Sequence, residues 1–171
     1  MKPFWIDADV FIQAHNGLYA IDIALPFWRF IDEKADAGSV RSSMRVYKEI
    51  LHREDPDDAL ARWIKNRKNG GMFVDPARDK FVQEKVTEIN DWVYQAYAVK
   101  YKNYAKVKEF LTGADTWTIS HALCSSGIVV SHESREDRTS QKPKIPNVCT
   151  RFGVECIDLK EMLRRLKFAF K

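Results

Sequence analysis

The chain opens on a short uninterrupted apolar run, Pro3-Phe4-Trp5-Ile6, that stops at Asp7. Continuous rather than alternating apolar character marks a strand covered on both faces. Val10, Phe11 and Ile12 then begin a short helix that Asn16-Gly17 ends. A second helix is predicted from about Leu25 to Ala37, with Pro26 in its first turn and Gly38 just past its end. Ser39–Ser43 reads as a second strand, and Met44 to about Arg53 as a helix. Pro56, Asp57 and Asp58 open another helix, which runs through Trp63 and Ile64 and is closed by Asn69-Gly70-Gly71. From Arg78, the apolar positions Phe81, Val82, Val86, Ile89, Val93 and Ala96 keep helical spacing over several turns. One more helix carries Val107, Phe110 and Leu111, and the next spans Ala114 to Ser125. Ile128-Val129-Val130-Ser131 is the clearest buried strand. Polar residues from Ser134 to Lys144 predict a solvent loop, Val154–Ile157 a last strand, and Met162, Leu163 and Leu166 one face of a closing helix.

Strands that alternate with helices predict an α/β fold with a parallel sheet covered on both faces. Right-handed crossovers place all strand C-terminal ends on one edge, where such sheets hold their functional crevice. The length of 171 residues suits one domain with its own core. No apolar run reaches membrane-spanning length and no signal-peptide order opens the chain, so a cytoplasmic location is expected. Cys124, Cys149 and Cys156 have no C-x-x-C spacing and are expected to be three buried thiols; the four histidines form no metal signature.

The expected crevice edge collects acids. Asp7 ends the first strand and Asp9 follows it; Glu49 lies in the helix after the second strand. Asp115 opens the helix leading to the Ile128 strand, and Glu133 follows that strand after Ser131-His132. Carboxylates brought together repel, and a hard divalent cation such as Mg²⁺ or Mn²⁺ relieves the repulsion through oxygen ligands. Each acid also has a plainer reading. Asp7 and Asp9 suit helix capping, and Glu49 lies between Arg45 and Arg53 at ion-pair spacing. Thr112-x-x-Asp115 resembles a capping box, and Glu133 suits a loop charge. Trp5 and Trp117 are expected in the core rather than as stacking platforms.

Taken in order, these residues resemble a known family. Phe4-Trp5-Ile6-Asp7-Ala8-Asp9-Val10 looks like the opening strand and first acid of PIN-domain ribonucleases, and Tyr47-Lys48-Glu49-Ile50 like their helical glutamate. Gly113-Ala114-Asp115 with Ile119 and Ala122 resembles their third acid, and Val129-Val130-Ser131-His132-Glu133 the strand that ends in Thr-x-Asp in many members. The likeness spans Phe4 to the Ile157 strand and is nearest to VapC-type toxins of type II toxin–antitoxin pairs. It implies a PIN-like three-layer α/β/α sandwich over residues 1–171, with a short, mostly parallel central sheet of about four to five strands. A helical insertion at about 55–110 exceeds that of minimal members.

The resemblance also implies a Mg²⁺- or Mn²⁺-dependent endoribonuclease with Asp7, Glu49, Asp115 and Glu133 as catalytic and metal-binding residues. Asp9 and Ser131 are supporting residues, and Arg41, Arg45, Lys48, Lys142 and Lys144 are candidates for RNA contact. A cognate protein antitoxin is the implied partner beside the RNA substrate, with pairing into a homodimer left open. Glu133 in place of Asp and Asp9 in place of Asn depart from the family pattern. Twenty-eight Lys and Arg oppose 24 acids; with four acids set aside in a crevice, the remaining 20 leave a distinctly basic periphery.

Two other functions compete. Asp7-Ala8-Asp9-Val10 also looks like the D-x-D motif of haloacid-dehalogenase-type phosphatases, with Asp7 as nucleophile, Asp9 as general acid/base and Ser131 as the second motif. The usual following Gly-Thr is missing, and Asp158 stands alone after Ile157 where that family carries paired acids. The other alternative is a PIN-like binding module without catalysis, which the Glu133 substitution keeps open.

Overall fold

The computed structural model describes residues 2–133 and 135–170. The chain runs β1 (Phe4–Ile6), α1 (Ala8–Asn16), α2 (Leu25–Asp36), β2 (Val40–Ser43), α3 (Met44–Arg53), α4 (Ala59–Lys65) and β3 (Phe73–Val74). It continues through α5 (Lys80–Val93), α6 (Tyr104–Thr112), α7 (Asp115–Cys124), β4 (Ile128–Val130), α8 (Ile145–Phe152), β5 (Glu155–Ile157) and α9 (Leu159–Arg165). The five strands form one parallel sheet in the order β3-β2-β1-β4-β5. The first strand in the chain, β1, is therefore central, with Trp5 opposite Arg41 on one side and Val129 on the other.

Strand alternation divides the core in two. Phe4 and Ile6 of β1, with Ile128 and Val130 of β4, join one apolar cluster with Val10, Trp28 and Ile50 from α1, α2 and α3. Trp5 and Val129 point the other way, into a cluster with Val93, Phe110, Ile119 and Val148 from α5, α6, α7 and α8. Because both faces of the sheet are apolar and helix-covered, the architecture is a three-layer α/β/α sandwich. Among the described residues, no helix is long and apolar enough to cross a membrane.

Two elements were not anticipated. Strand β3 lies inside the stretch expected to be a helical insertion, so 55–110 is not purely helical; its two residues follow Met72, and the Gly71 φ of 80° turns the chain into it. Helix α8 occupies a segment left without an expected element. Ile145, Val148, Cys149 and Phe152 stand at i, i+3, i+4 and i+7, Pro146 lies in the first turn, and Gly153 ends the helix in a left-handed conformation. That spacing was legible. Loop residues 135–144 carry no helix or strand, as expected, while Ser134, where that loop was to begin, lies outside the described residues. The cysteines are not uniformly buried: Cys124 is exposed at the end of α7, Cys149 is buried and Cys156 is half-buried.

Toward the sheet edge away from the strand C-termini, β1 packs against the C-terminal half of α7. Trp5 is locked on both sides, its indole donating to Ser125 Oγ at 2.8 Å and its ring stacked on His121 at 4.4 Å between centroids. His121 is buried, and its Nε2 has no hydrogen-bond partner. Burial pushes its pKa down to about 4 against an ordinary 6.5, while the charges facing it, Asp79 and Asp75, pull weakly the other way. Below pH 6.5 the unfolded chain takes up a proton that the folded imidazole refuses until about pH 4, so stability falls as pH drops through that window. His121→Phe keeps the ring stack and removes the titration. The variant is expected to lose about 3 kcal/mol less stability than wild type between pH 6.5 and pH 4, measured by urea unfolding. Parallel losses in the two proteins refute this.

Candidate active site

The sheet's C-terminal edge is built by backbone continuity. Asp7 N donates to Val130 O at 3.1 Å, extending the β1–β4 ladder one residue beyond β1, and Ser131 N does the same to Ile157 O at 3.0 Å beyond β4. The chain then leaves the sheet at Asp7, which occupies the N-cap position of α1 yet makes no side-chain cap hydrogen bond. The capping reading of Asp7 therefore fails. Its side chain is instead buried in the floor of a crevice, with Oδ1 lacking any hydrogen-bond partner.

A cavity of about 480 Å³ opens here, lined by Asp7, Asp9, Glu49, Asp115, Ser131 and Glu133, with Arg53, Lys106 and Lys142 at its walls. All four acids proposed as metal ligands thus reach one crevice from β1, α3, α7 and the turn after β4. Their electrostatics show the convergence. Burial raises the Asp7 pKa to about 7, and the Asp9 and Glu49 charges add to it against the amides of Ala8 and Asp9. Asp115 is pushed well above the carboxylate range, first by burial and then by Asp7, Glu49, Asp9 and Glu133. Asp7 and Asp115 therefore sense the acids around them, and burial keeps water from dispersing the repulsion.

The remaining partners correct several simple readings. Glu49 does not sit in a surface ladder with both arginines. Its Oε2 accepts from Ala114 N at 3.0 Å, tying α3 to the start of α7, and its Oε1 accepts from Arg53 Nη1 at 3.3 Å. Arg45 points elsewhere, its guanidinium 4.7 Å over the half-buried Trp117 ring. Thr112 does not cap α7 either; its hydroxyl donates back to Lys108 O at 2.9 Å within α6. Glu49 thus serves an amide at the start of α7, that of Ala114, directly before Asp115. Asp9, expected to cap, instead accepts from Arg53 at 2.7 Å. Ser131 is buried, and its Oγ accepts from Glu133 N at 3.0 Å, so it shapes the turn carrying the exposed Glu133.

The basic candidates separate. Lys142 lines the crevice. Arg41 donates to Gly71 O at 2.8 Å, Lys144 pairs with Asp137 at 3.6 Å, and Lys48 is exposed on α3. Two cationic crevice residues escaped the sequence reading as site residues, Arg53 and Lys106. Arg53 had a signal, its i+4 spacing from Glu49; Lys106 had none, because only the packing of α6 brings it to the wall.

The matching family model, described as "Domain of unknown function (DUF4411)", covers residues 4–170. The chain belongs to this family. A comparison with curated proteins finds no match. The DUF4411 match runs from β1 through α9, so the crevice acids and their walls all lie within the family's extent.

The donor set of this DUF4411 chain suits a hard cation chemically: every acid offers oxygen, Asp7 is buried with Oδ1 unpaired, and Asp115 is half-buried beside it. The set is not gathered in advance. Among the described residues, no three His, Cys, Asp or Glu side chains are grouped to hold a metal ion. The reason is visible in the partners: Arg53 holds Asp9 and Glu49, and Ala114 N holds the second Glu49 oxygen.

Proposed function

We propose that this chain is a divalent-metal-dependent endoribonuclease of the PIN-like type, with Asp7, Glu49, Asp115 and Glu133 as its metal-holding acids. The observation that carries the reading is the buried Asp7 carboxylate, with Oδ1 unpaired, beside a second raised acid, Asp115, at the C-terminal edge of a parallel sheet. Bound Mg²⁺ or Mn²⁺ would neutralise the phosphodiester charge and make a coordinated water acidic near neutral pH. Asp7, buried, and Asp115, half-buried, have no cationic partner among the described residues and form the fixed part of the site. Glu49 and Glu133 complete it from the walls, Glu49 by turning one oxygen from Arg53.

Arg53, still paired with Asp9, then has guanidinium N–H groups left to donate to a phosphate oxygen, with Lys106 and Lys142 adding positive charge at the rim. The buried His121 lies at the opposite edge, which agrees with a mechanism that uses no histidine base. By the same resemblance, the reading includes the role of a cytoplasmic toxin held by a protein antitoxin. The phosphatase alternative is less well supported, because the Asp9 carboxylate it needs for proton transfer is committed to Arg53 at 2.7 Å.

The test is cleavage of single-stranded RNA in Mn²⁺. Wild type is expected to cut, excess EDTA to stop it, and Asp115→Asn to lower the rate at least about 100-fold while remaining folded by circular dichroism. Cleavage that persists in EDTA rejects the mechanism. A folded wild type that binds RNA but never cuts it identifies a binding module instead.

A further inference from the structure

A second groove lies across the 136–145 segment from the crevice. Lys142, Pro143 and Ile145 of that segment face the acids, whereas Glu136, Arg138 and Ser140 face the other way. Asn103 Nδ2 donates to Gln141 O at 3.2 Å and fixes the segment to the corner before α6. The far groove is a cavity of about 360 Å³ between α8 and the C-terminal end of α5. There α5 passes into a π-helical stretch, Tyr94–Val99, a rare form that shifts side-chain phase and concentrates at functional sites.

The groove's lining has a definite chemistry. The half-buried Trp92 and Tyr101 supply aromatic surface, backed by the buried Tyr97, which meets Trp92 edge-on at 5.9 Å and Tyr101 at 6.3 Å. Cations stand over the rings: Arg151 lies 5.8 Å from the Trp92 centroid, and Lys100 lies 4.8 Å from that of Tyr101. Arg138 also lines the groove, paired at 3.3 Å with Glu136, and among the described lining residues no other acid offsets Arg151 and Lys100. Aromatic faces interleaved with Arg and Lys match single-stranded nucleic acid, whose bases stack and whose phosphates pair with cations. A folded duplex offers no free base faces, and an acidic peptide has no use for the rings.

We propose that this groove binds the single-stranded RNA flanking the cleavage point, so that one strand crosses the 136–145 segment and reaches the acids. The proposal rests on the ribonuclease reading for its substrate, but the groove can be tested without catalysis. A fluorescent single-stranded RNA of about 12 nucleotides, in EDTA, serves as the probe, with binding followed by anisotropy against the full chain. Arg151→Gln and Tyr101→Ala are expected to weaken binding about five- to tenfold each, with melting curves confirming the fold. Arg151→Gln is expected to lower the slope of log affinity against log salt by about 0.7.

On RNA in Mn²⁺, both variants are expected to raise KM and leave kcat unchanged, because neither residue lines the crevice. Unchanged affinity in both variants overturns the groove, as does competition by polyglutamate or duplex RNA as strong as by single strands. Weakened binding in the variants without any Mn²⁺-dependent cleavage by wild type keeps the groove and rejects the ribonuclease. Cleavage by wild type with unaltered KM in both variants does the reverse.

Discussion

Asp7→Asn is expected to abolish RNA cleavage and at the same time to make the metal-free protein more stable. Both effects come from one carboxylate. Asp7 is 3% exposed, has an oxygen with no partner, and carries a pKa raised from 3.8 to about 7 by burial and then by Asp9. A group raised in the folded state adds its full stability below the unfolded value and loses it as pH climbs through the folded one. Between about pH 4 and pH 7, folding therefore becomes progressively less favourable, and above pH 7 the chain retains a buried charge without a counter-ion.

Replacing that charge with the neutral, equally sized Asn is expected to gain about 2–4 kcal/mol at pH 8 and little at pH 4. Calorimetric melting at the two pH values reads the difference. The proposed function adds two expectations: Mn²⁺ raises the wild-type melting temperature but not the variant's, and cleavage falls at least about 100-fold. A variant less stable than wild type at pH 8 would mean that the Asp7 charge has a partner in the folded protein, and the site would need to be redrawn.

Gly127→Ala is the substitution expected to damage the fold most for the fewest added atoms. A Cβ on Gly127 would stand 2.7 Å from Pro3 O and 2.8 Å and 2.9 Å from Cδ1 and Nε1 of Trp5. None of these atoms is free to move. Pro3 O already accepts from Ile128 N at 2.9 Å to begin the β1–β4 register, and Trp5 is held by Ser125 and stacked on His121. The strain falls on the central strand pair. A loss of about 2–3 kcal/mol is expected, with melting lowered by roughly 5–10 °C. Relief by the smaller ring in a Gly127→Ala, Trp5→Phe double variant would identify the indole as the obstacle. A single variant as stable as wild type would show that the strand ends can separate at no cost.

Much of the architecture was legible because apolar runs and helix punctuation are local. Phe4-Trp5-Ile6 and Ile128-Val129-Val130 are apolar on both sides, and only a covered parallel sheet accommodates two such strands. Strand β3 escaped because its two residues, Phe73–Val74, carry too little periodicity. The π-helical end of α5 escaped because the apolar positions through Ala96 continue an ordinary helical spacing.

For the candidate site, the sequence determined the inventory. Acids stand at the ends of predicted strands and the starts of predicted helices, and right-handed crossovers alone bring Asp7, Asp115 and Glu133 to one edge. Only the tertiary structure decided the partners. Spacing on α3 allowed Glu49 to pair with Arg45 or Arg53, whereas α7 takes its Oε2 at Ala114 N and Trp117 takes Arg45. Spacing suggested caps for Asp7 and Asp9, yet one is buried with Oδ1 unpaired and the other reaches Arg53 across 44 residues. A side chain's partner is the group that reaches it with the least loss of hydration, and that group is often remote in sequence. Local pattern therefore specifies where an acid stands, while packing specifies whether it is neutralised, and it left Asp7 without a counter-charge.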